Sequence, residues 1–271
     1  MKQTRNFDFT PYLKISPANI KTVSDLRAFG KESQLVNQGY ELLACNQWEE
    51  KLLNPKTDWK YYINEFGFRN DWNLNSKKET IGFFGCSFTF GEGIHNDDMF
   101  VSIVSKALDM NPINIGVGGA GLERTVRTFA SASNVIKFDY AVLTLPAWTR
   151  QMHVTNEGEL INIIPYYPHN GFEKLSAIYS SFDEDFFVNQ AILYVNWIGD
   201  IAKANNIKLI LCSWDDPLNE LCKFIFPKDT IEPFPDIDDK CARDKMHPGP
   251  KSQAAHAEQI IKAIQDRQRQ K

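Results

Sequence analysis

A serine directly after a short apolar run, a histidine three residues after an aspartate, and a glycine-rich turn between them are the residues whose types and spacing could do chemistry. Ser87 follows Ile81-Gly-Phe-Phe84 and Gly85-Cys86. A residue leaving a buried parallel strand lies on the carboxyl edge of the sheet, where ligands bind in open α/β architectures. A hydroxyl in that place suits a nucleophile, and it equally suits a helix cap, since serine is a preferred N-cap residue. Near the other end stands Asp244-Lys-Met-His247-Pro248-Gly249. The spacing lets one turn present the Asp244 carboxylate to the His247 imidazole, fixing its tautomer and stabilising the imidazolium while His247 takes a proton from a hydroxyl. Pro248 disfavours the α conformation at His247 and holds it extended before the next helix. Taken alone the pair could be a loop acid and a surface histidine; with Ser87 it becomes a set for nucleophilic catalysis.

Between them lies Asn114-Ile-Gly116-Val-Gly118-Gly119-Ala-Gly121-Leu-Glu-Arg124. Such a turn offers bare backbone N–H groups to an anion or to an oxyanion. Gly116, Gly118 and Gly121 also match GxGxxG, so a dinucleotide site has to be weighed. That fold wants an acidic ribose ligand at the end of the next strand. Here Asp139 precedes the run Tyr140–Leu145, which ends in Pro146-Ala-Trp148-Thr-Arg150. No cofactor is expected on this reading. Asp236, Asp238 and Asp239 resemble the start of a calcium loop without its glycine and closing glutamate, and read as a solvated acidic loop. His95 with Asp97 and Asp98 reads as a polar turn, and Cys212 and Cys222 as buried structural thiols. No metal site is expected.

The elements that must position these residues show in the texture of the chain. Residues 1–78 mix polar and aromatic residues and are broken by Pro11, Pro17 and Pro55, with a helical spacing only over 22–52; they form an N-terminal extension, mostly helix and loop. From 79 to 271, short apolar runs alternate with helical patterns, as in βαβ units. The runs Ile81–Phe84, Ile113–Ile115, Tyr140–Leu145 and Ile207–Cys212 are nearly uniformly apolar, as parallel strands buried on both faces should be. Helices are expected over 98–109, 121–135, 184–205 and 250–268, the last after Pro248 and Pro250. The stretch 151–183, with Pro165, Pro168 and Gly171, reads as a lid-like insertion over the strand ends. Phe186, Phe187, Tyr194 and Trp197 fall at helical spacing and read as core.

Composition narrows the partners. The 271 residues are 43% hydrophobic and 24% charged, enough apolar surface for one main core, and the net charge of −4 lacks the positive field that nucleic-acid or anionic-membrane binders need. No apolar run long enough for a signal peptide or membrane anchor interrupts Lys2, Arg5, Asp8, Lys14, Lys21 and Asp25. Five widely spaced cysteines (Cys45, Cys86, Cys212, Cys222, Cys241), an odd number without a CxxC pair, point to a reducing, cytoplasmic compartment rather than to a disulfide framework or a zinc site.

Gly85-Cys86-Ser87-Phe88-Thr89, then Asn114-x-Gly-x-x-Gly119, then Asp244-x-x-His247-Pro248, in this order, resemble the SGNH/GDSL hydrolases. The resemblance covers about residues 58 to 265, since Ile63-Asn-Glu-Phe-Gly67-Phe-Arg69 looks like a segment that precedes this domain in some members. It implies a three-layer α/β/α sandwich on a flavodoxin-like parallel sheet, and ester hydrolysis through an acyl-enzyme. Ser87 would be the nucleophile, His247 the base, Asp244 its orienting acid, and the Ser87 and Gly119 amides oxyanion donors. Cys86 stands where the family has Asp, next to the attacking group. Where the family has Gly-x-Asn, with an oxyanion-hole Asn, the chain reads Pro146-Ala147-Trp148. Trp148, Arg150 or Asn170 would have to substitute.

The resulting expectation is a cofactor-independent esterase acting on a small-molecule or carbohydrate ester, such as an O-acetyl or other short acyl group, with no nucleic-acid or membrane partner. The alternatives are a weakly active or inactive module of the same fold that binds a glycan or a protein, and, further off, a dinucleotide-dependent oxidoreductase.

Overall fold

The computed structural model of the chain describes residues 16–34, 64–70, 72–154, 160–163, 173–235, 237 and 247–269. The strands are β1 (Thr80–Gly85), β2 (Asn111–Gly116), β3 (Tyr140–Leu145), β4 (Gln151–Val154), β5 (Leu160–Ile163) and β6 (Lys208–Ser213). The helices are α1 (Val23–Gln34), α2 (Ser87–Phe90), α3 (Phe100–Leu108), α4 (Leu122–Ser133), α5 (Glu173–Ser180), α6 (Glu184–Ala204), α7 (Asp216–Ile225) and α8 (Pro250–Arg269).

The four apolar runs pair in parallel in the order β2–β1–β3–β6. Registry sets Ile115, Phe84, Leu143 and Leu211 in one row across the sheet, and Asn114, Phe83, Val142 and Ile210 in the next. Because strand side chains alternate faces, the rows point opposite ways. The first joins a buried cluster with α4, α6 and α7 through Val126, Phe129, Val195, Ile198 and Leu218. Phe83, Val142 and Ile210 of the second join another with α3 and α8 through Phe100, Val104, Ala257 and Ile260. Both faces of every central strand are therefore covered, which is why these strands read as unbroken apolar runs, and the architecture is a three-layer α/β/α sandwich. Each buried Phe or Leu contributes roughly 1.5–3 kcal/mol through removal from water.

The outer edge of β6 is sealed by the segment after α7. Leu211 N–H donates to Asp229 O at 2.8 Å, Ile231 N–H to Leu211 O at 2.9 Å, and Phe234 N–H to Ser213 O at 3.1 Å. The ladder groups of an open edge are thus satisfied within the chain.

The described parts of the N-terminal extension share the α4/α6 core: Ile20, Leu26, Phe66 and Phe68 are all buried in it. Helix α1 is started by a reciprocal cap, Thr22 N–H to Asp25 Oδ2 at 2.8 Å and Asp25 N–H to Thr22 Oγ1 at 3.1 Å. The rest of the helical spacing expected over 22–52 lies outside the described residues. Strands and helices otherwise fall within two residues of their expected limits. Helix α2, the β4–β5 pair, α5 and α7 are additions. The insertion opens with an antiparallel β4–β5 pair, Gln151 opposite Ile163, and contains α5. Helix α7, starting at Asp216-Pro217, was not apparent from its short apolar spacing; it buries Leu218 and Cys222. No helix among the described residues is long and apolar enough to cross a membrane.

Candidate active site

Strand β1 delivers Ser87 through an abrupt turn. Gly85 has no room for a side chain, since a Cβ there would stand 2.4 Å from Thr144 O and 2.4 Å from Thr89 Oγ1. The chain then turns at extended Cys86 into α2, whose first residue is Ser87. Thr89 and Phe90 N–H groups close the turn on Cys86 O at 3.1 and 2.9 Å. The cap position thus belongs to Cys86, whose side chain makes no cap bond, and not to Ser87. Ser87 is 3% exposed. Among the described residues its hydroxyl makes no hydrogen bond, and its N–H, one of the orphan donors of a first helical turn, donates to no backbone carbonyl.

The glycine-rich turn follows β2, the neighbour of β1. Asn114 is buried and ties the turn to the serine helix: its Nδ2 donates to Thr89 O at 3.1 Å and its Oδ1 accepts from Gly116 N–H at 2.9 Å. Gly116 is needed for this packing, because a Cβ would meet Phe90 N at 2.3 Å, and Gly121 likewise lies against Arg150 O. Close contacts within the chain thus account for two of the three glycines of the GxGxxG match. Gly119 has φ of 69°, and its N–H likewise donates to no backbone carbonyl among the described residues.

His247 enters from the far end of the chain, just before α8. Its ring stands edge-on to Phe88, with centroids 5.9 Å apart, so it reaches the neighbourhood of Ser87. Ser87 and His247 are not hydrogen-bonded to each other; Nε2 of His247 instead lies 3.6 Å from Glu92 Oε2, with both side chains about four-fifths buried. Asp244 and Asn170 lie outside the described residues, as do Asp236, Asp238 and Asp239.

The ends of β3 and β6 supply the other wall. Trp214 stacks on Phe88 at 5.5 Å, and the Arg150 guanidinium lies over the Trp214 ring at 5.1 Å. Trp148 packs its side chain against the α4/α6 core. Burial raises the Asp215 carboxyl above its ordinary value; the N–H groups of Leu218 and Trp148 offset this in part, and Oδ2 has no hydrogen-bond partner among the described residues. Trp214 and Asp215 escape a reading by motif, yet they directly follow β6, so the carboxyl-edge rule that singles out Ser87 applies to them too.

Beneath the edge, His256, Thr144 and Cys212 form a separate buried group. Thr144 Oγ1 is 3.2 Å and Cys212 Sγ 3.6 Å from His256 Nε2. Burial pushes the Cys212 thiol up to about 12, so it is not a thiolate nucleophile. His95 caps its own polar turn, its Nδ1 accepting from Asp97 N–H at 3.4 Å.

No family model matches the chain, and no curated protein matches it. Among solved structures it is similar to an acetyl xylan esterase from the rumen bacterium Butyrivibrio proteoclasticus, at 14% identity over 73% of this chain and 66% of that one, with a TM-score of 0.41. It is similar to a psychrotrophic esterase from Pseudoalteromonas sp., solved inhibited by monoethylphosphonate, at 12% identity over 69% of this chain and 97% of that one, TM-score 0.44. It is also similar to a GDSL-like lipase from Bacteroides thetaiotaomicron, at 15% identity over 70% of this chain and 89% of that one, TM-score 0.44.

Proposed function

We propose that this chain is an SGNH-like serine hydrolase that cleaves an ester, a short acyl group on a carbohydrate being the favoured substrate class, through an acyl-enzyme. The observation that carries the reading is the state of Ser87: a hydroxyl unbonded among the described residues at a tight strand-to-helix turn, on the same edge as His247 and beside a second turn whose Gly119 N–H makes no backbone bond among them. In the reaction Ser87 Oγ attacks the ester carbon while its proton passes to His247. The oxyanion is held by the Ser87 and Gly119 N–H groups. Collapse breaks the ester C–O bond, and the leaving alcohol takes the proton from His247. Water, deprotonated by His247, then attacks the acyl-serine and frees the acid and Ser87. The resemblance gives Asp244 the part of orienting acid. Arg150, over the Trp214–Phe88 stack, is the candidate to replace the missing Asn donor, with Trp148 as a pocket wall.

A second reading follows from Pro146-Ala147-Trp148 and the absent Ser87–His247 hydrogen bond: a module of the same fold that binds a glycan or protein without turnover. A panel of chromogenic esters of graded acyl length separates the two. The hydrolase reading expects turnover that is fastest for short acyl groups and is abolished in Ser87→Ala; no turnover, or equal rates in wild type and Ser87→Ala, would favour the binding module.

A further inference from the structure

Beside His247 stands a carboxylate that the motif pattern does not single out. After α2 the chain turns at Gly91, and the Gly91 and Glu92 N–H groups both donate to Ser87 O, at 2.8 and 3.0 Å. The backbone of Glu92 is therefore bound to the nucleophile's own peptide. Its side chain reaches the other way, to 3.6 Å from His247 Nε2. That gap is longer than a hydrogen bond and within ion-pair reach.

The loop that carries Glu92 is held from below by Arg69, which ends the Ile63–Arg69 stretch. Arg69 is 2% exposed. Its Nη1 donates to Phe90 O at 3.0 Å and to Gly91 O, and its Nη2 donates to Ile94 O at 2.7 Å. The guanidinium also lies over the Phe90 ring at 5.6 Å. A planar fork of donors is suited to diverging carbonyls in a way that a lysine ammonium is not. The stretch itself is closed by Asn64, whose Oδ1 accepts from Phe66 N–H at 2.9 Å and whose Nδ2 donates to Asn70 O at 2.7 Å.

Resting on the hydrolase reading above, we propose that Glu92 is a positioning residue for His247, and that buried Arg69 sets Glu92 in place. Glu92 holds Nε2–H, so Nδ1 is the nitrogen that takes the Ser87 proton; the carboxylate then stabilises the imidazolium until the proton passes to the leaving alcohol. The Asn64–Arg69 stretch becomes part of the catalytic support, acting through a loop.

The test uses the full chain, nitrophenyl acetate as substrate, and the ring-nitrogen NMR signals of isotope-labelled histidine, with His247 assigned by its loss in His247→Gln. Glu92→Gln should lower kcat at least about tenfold with KM little changed, by more than Asp244→Asn does, while the thermal midpoint holds. The His247 signals should lose the Nε2–H tautomer. Arg69→Lys should lower kcat too, and the double variant should fall by less than the product of the two single losses, as expected of residues acting through one another. Removing the exposed carboxylate of Asp98 by Asp98→Asn should leave kcat as it is. Unchanged kcat and unchanged His247 signals in Glu92→Gln would overturn the proposal, as would losses that multiply in full. If wild type neither turns over ester nor labels at Ser87, the hydrolase reading fails, and the NMR comparison alone decides whether Glu92 holds His247.

Discussion

Two histidines flank the start of one helix and have opposite prospects. His256, inside α8, is completely buried, with Phe100 and Phe234 rings packed on it at 4.8 and 4.4 Å. Its ring nitrogens lie 3.2 Å from Thr144 Oγ1 and 3.2 Å from Gln259 Oε1, both neutral. Burial lowers it from the ordinary 6.5 to about 4, so near neutral pH it carries no charge. His247, nine positions earlier, keeps an exposed margin and faces the Glu92 carboxylate. A base must accept a proton and tolerate the charge, and only the second site offers a counter-charge. Hydrogen-bond saturation without a carboxylate makes a structural histidine; a carboxylate and partial exposure beside Phe88 make a candidate base.

The largest effect that sharpens this contrast is on chemistry. His247→Gln should reduce kcat/KM for an activated ester by a factor on the order of 10⁶, as removal of a triad base does, with little change in the unfolding midpoint. The corresponding change at the other site should act on stability instead. His256 binds a proton in the unfolded chain below about 6.5 and in the folded protein only below about 4, so its contribution to stability is complete above 6.5 and is lost as pH falls from 6.5 to 4. The loss should total about 3 kcal/mol. Urea unfolding followed across that window should show the slope in wild type and a flatter one in His256→Gln; equal slopes would mean that His256 is not held neutral. The smallest effect belongs to Cys86, buried at the cap of α2. Cys86→Ser should leave ester turnover nearly unchanged, because serine is a better cap than cysteine and the group is not the nucleophile; a large loss would move the nucleophile to Cys86.

What was legible in the sequence follows the same physics. Strands buried on both faces, such as Tyr140–Leu145 with every residue buried, announce themselves as apolar runs. Ser87, Gly119 and Arg150 could be placed on one edge because each lies in the turn after a strand. Helix α7 was hidden because Asp215-Asp216-Pro217 reads as a loop, although Pro in the first helical turn is a start signal. The β4–β5 pair was hidden because a hairpin outside the main sheet has no long apolar run to mark it. Glu92 was illegible for another reason: a lone glutamate between two glycines carries no periodic signal, and its meaning depends on a histidine brought from 155 positions away.

The central claim is that Ser87 is an activated nucleophile, and a fluorophosphonate probe with peptide mapping by mass spectrometry tests it most directly. Covalent attack needs both the hydroxyl and its base, so labelling should fall at Ser87 alone, vanish in Ser87→Ala and slow strongly in His247→Gln. A probe that leaves Ser87 unmodified in wild type, or labels it at the same rate without His247, would contradict the account.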